Sequence, residues 1–317
     1  MPHTEEISAD AVRARQERAV AAAVAAGREL GITVTEPQVL YDVFSVIVHL
    51  RPAPVVVRVP TVLPRTVATD PQSQSDQQRR ELSVAGWLAE LGHAVVPPSP
   101  LVPAEPVSRD GFSMTFWQHV DQVPDDTLDG SRGAQLAARM HAALRNYPGE
   151  LRFLMPLDAS IPDGLAQLAS RPDLLDPADL DRARAEWALL EPLTDPDGFA
   201  AAFPGLAVQP VHGDAPTYNL IVTRAGALVS DFEHVTRAPV EWDLVFADEA
   251  ARAAYDTAAV ELGLRPLDER LLRVMESARM IQLVACLPMA PQLPGLLDGL
   301  RPAVEHWRAG PPLGQFL

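Results

Sequence analysis

Val211-His212-Gly213-Asp214 and, five positions after the aspartate, Asn219 open the stretch of this chain whose residue types could do chemistry. A second acidic group follows at Asp231-Phe232-Glu233. A carboxylate on a loop can accept a hydrogen bond from a substrate hydroxyl and take its proton. An amide oxygen and a second carboxylate are hard ligands, the kind magnesium takes together with substrate phosphates. Asp214 suits the first role; Asn219 and Asp231 suit the second. Between them lie two short apolar runs, 220–223 and 227–229, joined at Arg224-Ala225-Gly226, which read as a hairpin. That hairpin would carry the chain back and set Asp231 beside Asn219. These are the parts of a phosphoryl-transfer site: an Asp for the attacking hydroxyl, an Asn five residues on for one metal position, and a later Asp for the bridging metal. Asp and Asn are also common turn residues, so Asp-x4-Asn alone would mean little. The spacing of four residues around a hairpin carries the reading.

His212-x-Asp214-x4-Asn219, Asp231-Phe232-Glu233 and the downstream Pro239-Val240-Glu241-Trp242-Asp243-Leu244 resemble the motifs of the aminoglycoside phosphotransferase family, a small-molecule branch of the protein-kinase-like fold. The resemblance implies a bilobal α+β fold with a small antiparallel-sheet N-lobe and a larger, mostly helical C-lobe. It implies a nucleotide-binding lobe over 1–120, including an N-terminal helix over 8–30, and a catalytic and acceptor-binding lobe over 121–317. ATP or GTP would be the phosphoryl donor, with Mg2+ held by Asn219 and Asp231. Asp214 would be catalytic, and His212 would belong to the same catalytic loop and brace it. Glu233 would orient a metal-bound water or touch a cationic substrate. Asp243 would support the loop by bonding to its backbone.

The same resemblance assigns the first lobe. Arg58 interrupts the apolar run Val55-Val56-Val57-Arg58-Val59, where a kinase-like fold places its phosphate-binding Lys. No lysine occurs anywhere in the chain. A planar guanidinium can grip two phosphate oxygens, so Arg58 is the candidate, with Glu81 as the partner that aims it. A water-facing Arg at a strand end and an ordinary surface Glu are the plainer alternatives. The phosphate loop would be Tyr41-Asp42-Val43-Phe44-Ser45, which lacks glycine; Ser45 could offer a hydroxyl and an amide instead, or simply close a turn. The Thr115 carbonyl and Trp117 amide are expected at the interlobe hinge, against the adenine edge.

Composition narrows the class. Net charge is −16, with pI near 4.8, which argues against general nucleic-acid binding. An acidic cleft would concentrate a cationic substrate, although solubility explains the charge more simply. No run of about 18 apolar residues indicates a membrane span. Residues 1–18 are polar and acidic rather than a secretory signal. Cys286 is the only cysteine, which leaves no intrachain disulfide and suits a reducing cytoplasm. The expected partners are a nucleoside triphosphate and a small hydroxyl acceptor, without nucleic acid or membrane.

Periodicity predicts strands over 37–41, 43–50, 54–59 and 112–120, a polar loop over 64–76, and a helix over 77–91 with Leu82, Ala85, Leu88 and Leu91 inward. Further helices are expected over 130–144, 164–170, 177–190, 242–262, 268–287 and 296–307. His141 is expected to pack in the core. Two other functions share the central motif. One is a metabolite kinase for an amino alcohol, amino acid or sugar. The other is a nucleotide-binding pseudokinase, which the missing glycine and lysine favour and the intact Asp214, Asn219 and Asp231 oppose. A protein kinase is disfavoured, because Glu241-Trp242-Asp243 follows Asp231 too soon for an activation segment.

Overall fold

Alanines on one helix and valines on alternate strand positions build the first unit. The computed structural model describes residues 7–123, 128–214, 216–293 and 295–317; residues 1–6 of the polar N-terminal stretch lie outside them. Helix α1 (Ala9–Glu29) starts at Ser8, whose side chain accepts a hydrogen bond from the Ala11 amide at 3.2 Å. It buries Ala19, Ala22, Ala23 and Ala26 against Val46, Val48, Val57 and Phe116. Such small residues let the helix lie close to a sheet. At Gly27 an added Cβ would come within 2.6 Å of a Leu50 methyl.

Strands β1 (Val34–Asp42), β2 (Ser45–Pro52) and β3 (Val55–Pro60) follow as an antiparallel meander. Then come α2 (Arg65–Ala68), α3 (Pro71–Glu90), β4 (Val107–Arg109) and β5 (Phe112–Gln118). The five strands form one antiparallel sheet in the order β1-β2-β3-β5-β4. The loop expected over 64–76 is largely helical. Asp70 caps α3 by accepting from the Ser73 amide at 3.2 Å, and Pro71 presets the first turn. Leu91, expected inward, is the C-cap of α3 and is 59% exposed.

The chain continues with α4 (Gly130–Leu144), α5 (Ser160–Leu168), α6 (Pro177–Leu190), α7 (Pro196–Ala202), β6 (Gln209–Val211), β7 (Leu220–Thr223), β8 (Gly226–Val229) and β9 (Thr236–Ala238). It ends with α8 (Glu249–Glu261), α9 (Glu269–Cys286) and α10 (Leu296–Ala309). Helix α4 packs on α8, and α9 packs on α5 and α6. The helix expected over 242–262 begins later. Val240–Asp243 is a 3-10 turn, Phe246 has a left-handed backbone (φ 64°), and Asp248 caps α8.

The chain divides into two compact units, Met1–Gln122 with Met289–Leu296, and Val123–Pro288 with Leu297–Leu317. The first holds the small antiparallel sheet and the second is mostly helical, which is the bilobal α+β, protein-kinase-like class. Among the described residues no helix is long and apolar enough to cross a membrane.

Candidate active site

The loop after β6 is fixed from below by one buried carboxylate. Asp243 accepts hydrogen bonds from the backbone amides of His212 and Gly213, both at 2.8 Å. His141 lies 2.9 Å from the same carboxylate through Nε2, and its Nδ1 lies 2.8 Å from the Tyr255 hydroxyl. Burial pushes the Tyr255 hydroxyl far above its usual range, so it keeps its proton and can donate to His141. His141 then donates from Nε2 to Asp243. Burial also pushes the Asp243 carboxyl up. The hydrogen bond from His141, the nearby His141 and His212 rings and the Gly213 amide outweigh that effect and hold it below the ordinary 3.8. His141, expected as a core residue, is thus fully buried and joins α4 to this network.

Gly213 is dictated by space. Its φ is +88°, and a Cβ there would stand 1.9 Å from the His234 carbonyl oxygen. No side-chain-bearing residue fits that approach. His212 is fully buried, with its ring 4.8 Å from that of Phe232. Its Nε2 donates to the Ser230 carbonyl at 2.8 Å, tying this loop to the next one.

Asp214 emerges beyond that anchor, with its side chain 39% exposed. After a 3-10 turn at Pro216–Tyr218, Asn219 reaches back. Its Nδ2 donates to the Asp214 carbonyl at 2.8 Å and to the Asp214 carboxylate at 3.3 Å. The amide nitrogen is thereby committed to the loop, and the amide oxygen is the atom suited to a cation. Strands β7 and β8 pair from Thr223↔Gly226 to Leu220↔Val229, the expected hairpin. At its base the Ser230 amide and hydroxyl both donate to the Asn219 carbonyl, at 2.9 and 3.1 Å. The next residue is Asp231, in the left-handed region at φ 63°, ψ 61°. Asp tolerates that conformation better than most residues, and such backbone strain concentrates at functional sites. Glu233 lies in the half-buried 3-10 turn that follows.

The donor set suits magnesium. An amide oxygen and a carboxylate flank one hairpin base, and both are hard ligands. Among the described residues no group of three His, Cys, Asp or Glu side chains could hold a metal by itself. Magnesium does not need such a cage, since substrate phosphates and waters complete its shell.

No motif or motif spacing in the sequence points to Arg279, on α9. It is buried, and its Nη2 donates to the Gly213 carbonyl at 2.9 Å. Its Nη1 donates to Gln282 at 2.7 Å and approaches the Asp214 carboxylate at 3.5 Å. The guanidinium lies 3.9 Å from the centre of the Trp242 ring. One signal was available: within Ala278-Arg279-Met280-Ile281, Arg279 falls four positions after the inward Met275.

In the first unit, Arg58 on β3 pairs with Glu81 on α3 at 3.4 Å, and both are largely buried. Ser45 is buried at the start of β2. Thr115 and Trp117 lie within β5, opposite Arg58 and Val56 of β3. The Phe116 carbonyl accepts from the Ser99 amide, and the Gln118 amide donates to the Pro97 carbonyl, both at 3.0 Å. By alternation along the strand, the Thr115 and Trp117 backbone groups face β3, inside the sheet rather than at an open edge.

A family model described as the phosphotransferase enzyme family matches residues 47–267. No match is found among curated protein sequences. Several solved structures share the fold. Choline kinase LicA from Streptococcus pneumoniae is 12% identical, with a TM-score of 0.61 covering 90% of this chain and 98% of that one. A choline/ethanolamine kinase family protein from Mesorhizobium loti is 15% identical, with a TM-score of 0.59 and coverage of 95% and 97%. The GDP complex of wild-type aminoglycoside 2'-phosphotransferase-IIIa is 16% identical, with a TM-score of 0.56 and coverage of 90% and 97%. With its matched span running through both compact units, the chain belongs to the phosphotransferase enzyme family.

Proposed function

We propose that this chain transfers the terminal phosphoryl group of ATP or GTP to the hydroxyl of a small molecule, with magnesium as cofactor. The observation that carries the reading is the coupling of three oxygen-bearing residues. Asn219 is hydrogen-bonded to Asp214, and its own carbonyl holds the residue that precedes Asp231. Asp214 accepts a hydrogen bond from the acceptor hydroxyl and orients it. The acceptor oxygen forms a bond to phosphorus as the bridging P–O bond breaks; the electron pair leaves on the nucleoside diphosphate, and the proton passes to Asp214. Asn219 and Asp231 would hold magnesium, which neutralises charge on the phosphates. His212 and Asp243 keep the loop in place. Arg58, aimed by Glu81, grips the phosphates that are not transferred. Glu233 orients water or a cationic acceptor. Most of the rate then comes from positioning and charge neutralisation.

The acceptor class is tested with a panel of alcohols: kanamycin, streptomycin, spectinomycin, choline, ethanolamine, hydroxy amino acids and sugars. Nucleotide depletion is followed with ATP and with GTP. We expect one class to accelerate depletion, and Asp214→Ala to lower that turnover by about 1,000-fold while nucleotide binding persists. Turnover unchanged in Asp214→Ala would remove Asp214 from the mechanism. Magnesium-nucleotide binding without turnover across the panel would favour the pseudokinase reading instead, for which the glycine-free Tyr41–Ser45 tip is the supporting feature.

A further inference from the structure

The second unit holds a buried cation directly beneath its exposed carboxylate. Arg279 is about 5% exposed, yet its guanidinium reaches both the backbone and the side chain of the loop that carries Asp214. Nη2 donates to the Gly213 carbonyl, one residue before Asp214. Nη1 stands 3.5 Å from Oδ1 of Asp214, whereas Asn219 donates to Oδ2. The two carboxylate oxygens are therefore addressed from two different places, α9 and Asn219 just before β7.

The guanidinium is itself held rigidly. Its central carbon lies over the Trp242 ring, whose indole Nε1 donates to the Met155 carbonyl at 3.0 Å. Gln282, three residues along α9, accepts from Nη1 at 2.7 Å. A planar fork fixed in this way can hold two acceptors in a set geometry, which an ammonium on a flexible stem cannot do.

We propose that Arg279 is a positioning residue for Asp214: it sets the orientation of the carboxylate that receives the acceptor hydroxyl. The inference rests on the proposed role of Asp214 and adds to it the element that aims it. Asp243 fixes the loop through its amides, and Arg279 fixes it through a carbonyl and the functional carboxylate. The two anchors therefore do different work. Asp243 secures the path of the backbone, whereas Arg279 secures the direction of the side chain.

Burial lowers the pKa of Arg279, opposed by the charges of Asp214 and Asp243. Removing a buried cation alone strands its acceptors, here the Gly213 carbonyl and the Gln282 side chain, and lowers stability whatever its role. A structural bolt costs stability only, so the chain that remains folded keeps its turnover. A positioning residue loses turnover in the folded chain as well.

The test uses the full chain, with water as acceptor, following phosphate release from magnesium-ATP and magnesium-GTP. For Arg279→Met we expect kcat to fall about 100-fold, the scale of a misplaced catalytic group. The melting temperature should fall, and the nucleotide Kd, measured well below it, should stay near the wild-type value. Guanidinium chloride at millimolar concentration should restore part of the rate to Arg279→Ala, which vacates the site, and none to Asp214→Ala. Arg279→Lys, which keeps the charge and loses the fork, should remain about 10-fold slow. If Arg279→Met does not fold, Arg279→Lys decides: a lowered kcat at kept affinity supports the inference, and an unchanged kcat overturns it. Release abolished by Asp214→Ala but intact in Arg279→Met overturns the inference alone. A wild-type chain that releases no phosphate from either nucleotide, and transfers none to the alcohol panel, overturns the functional reading and this inference with it.

Discussion

Two loops of this chain invite comparison. The Asp214 loop is held by buried polar groups: Asp243 on two amides, Arg279 on a carbonyl, and His212 on the neighbouring Ser230. The tip between β1 and β2 is held by one side chain, that of Asp42, and by the Phe44 carbonyl, which accepts from the Thr61 and Val62 amides at 2.9 and 3.0 Å. Gln16 donates to the Asp42 carboxylate at 2.9 Å, and Arg15 lies 3.7 Å from it, while Tyr41 and Phe44 are exposed. The difference is one of constraint. Where buried polar groups fix a loop through specific contacts, few residue types satisfy each position. Where a tip only turns the chain between two strands, many sequences give the same turn. The first loop is therefore readable in a sequence and the second is not.

Three perturbations sharpen that comparison. The largest effect is expected at Asp243. Asp243→Ala strands two buried amides and His141, and should destabilise the second unit by about 3 to 5 kcal/mol, read from urea unfolding. The pH dependence follows from its depressed pKa. Between the folded value and 3.8 the unfolded chain binds more protons, so stability rises with pH there. The contribution is whole above 3.8 and is lost as pH falls through the lower, folded value. Asp243→Asn should flatten that acid limb, and a limb identical to wild type would remove Asp243 as the anchor.

Asp231→Ala comes next. Nucleotide affinity should weaken by about 10- to 100-fold with magnesium present and hardly at all without it, measured by calorimetry. Equal weakening in both conditions would mean lost structure rather than a lost metal ligand. Arg58→Met is expected to act least, raising the nucleotide KM by about 10-fold with kcat nearly kept. A mutation that instead lowered kcat alone would place Arg58 with the chemistry rather than with phosphate binding.

Much of the architecture was legible from local patterns. The boundaries of α4 and α6 and the presence of the β7–β8 hairpin follow from caps, periodicity and turn residues, although Gly226, expected in the turn, pairs with Thr223 as the first residue of β8. The two-unit α+β class came from the motif resemblance together with those elements. Misses arose where a local signal was overruled or overlooked. The polar composition of 64–76 hid the Asp70-Pro71 start of α3, although a capping Asp before a Pro is itself a start signal. The helical pattern over 242–262 runs straight through Phe246, whose left-handed backbone has no signature in the sequence. Arg279 shows the limit most clearly. The same argument that singled out Arg58, a charge within an apolar run, applies to it, but what the charge meets depends on Gly213 and Asp214, more than 60 positions away. Thr115 and Trp117 illustrate the converse: their backbone pairing is settled by the neighbouring strand and the 97–99 segment, which residue identity does not encode.

The central claim is that Asn219 and Asp231 share one cation beside Asp214. Manganese substituted for magnesium, in crystals grown with a non-hydrolysable nucleoside triphosphate, reports this directly through its anomalous signal. The account predicts a manganese peak coordinated by the amide oxygen of Asn219 and the carboxylate of Asp231, with nucleotide phosphates completing its shell. A peak elsewhere, or an Asp231 carboxylate turned away from the metal, would contradict it.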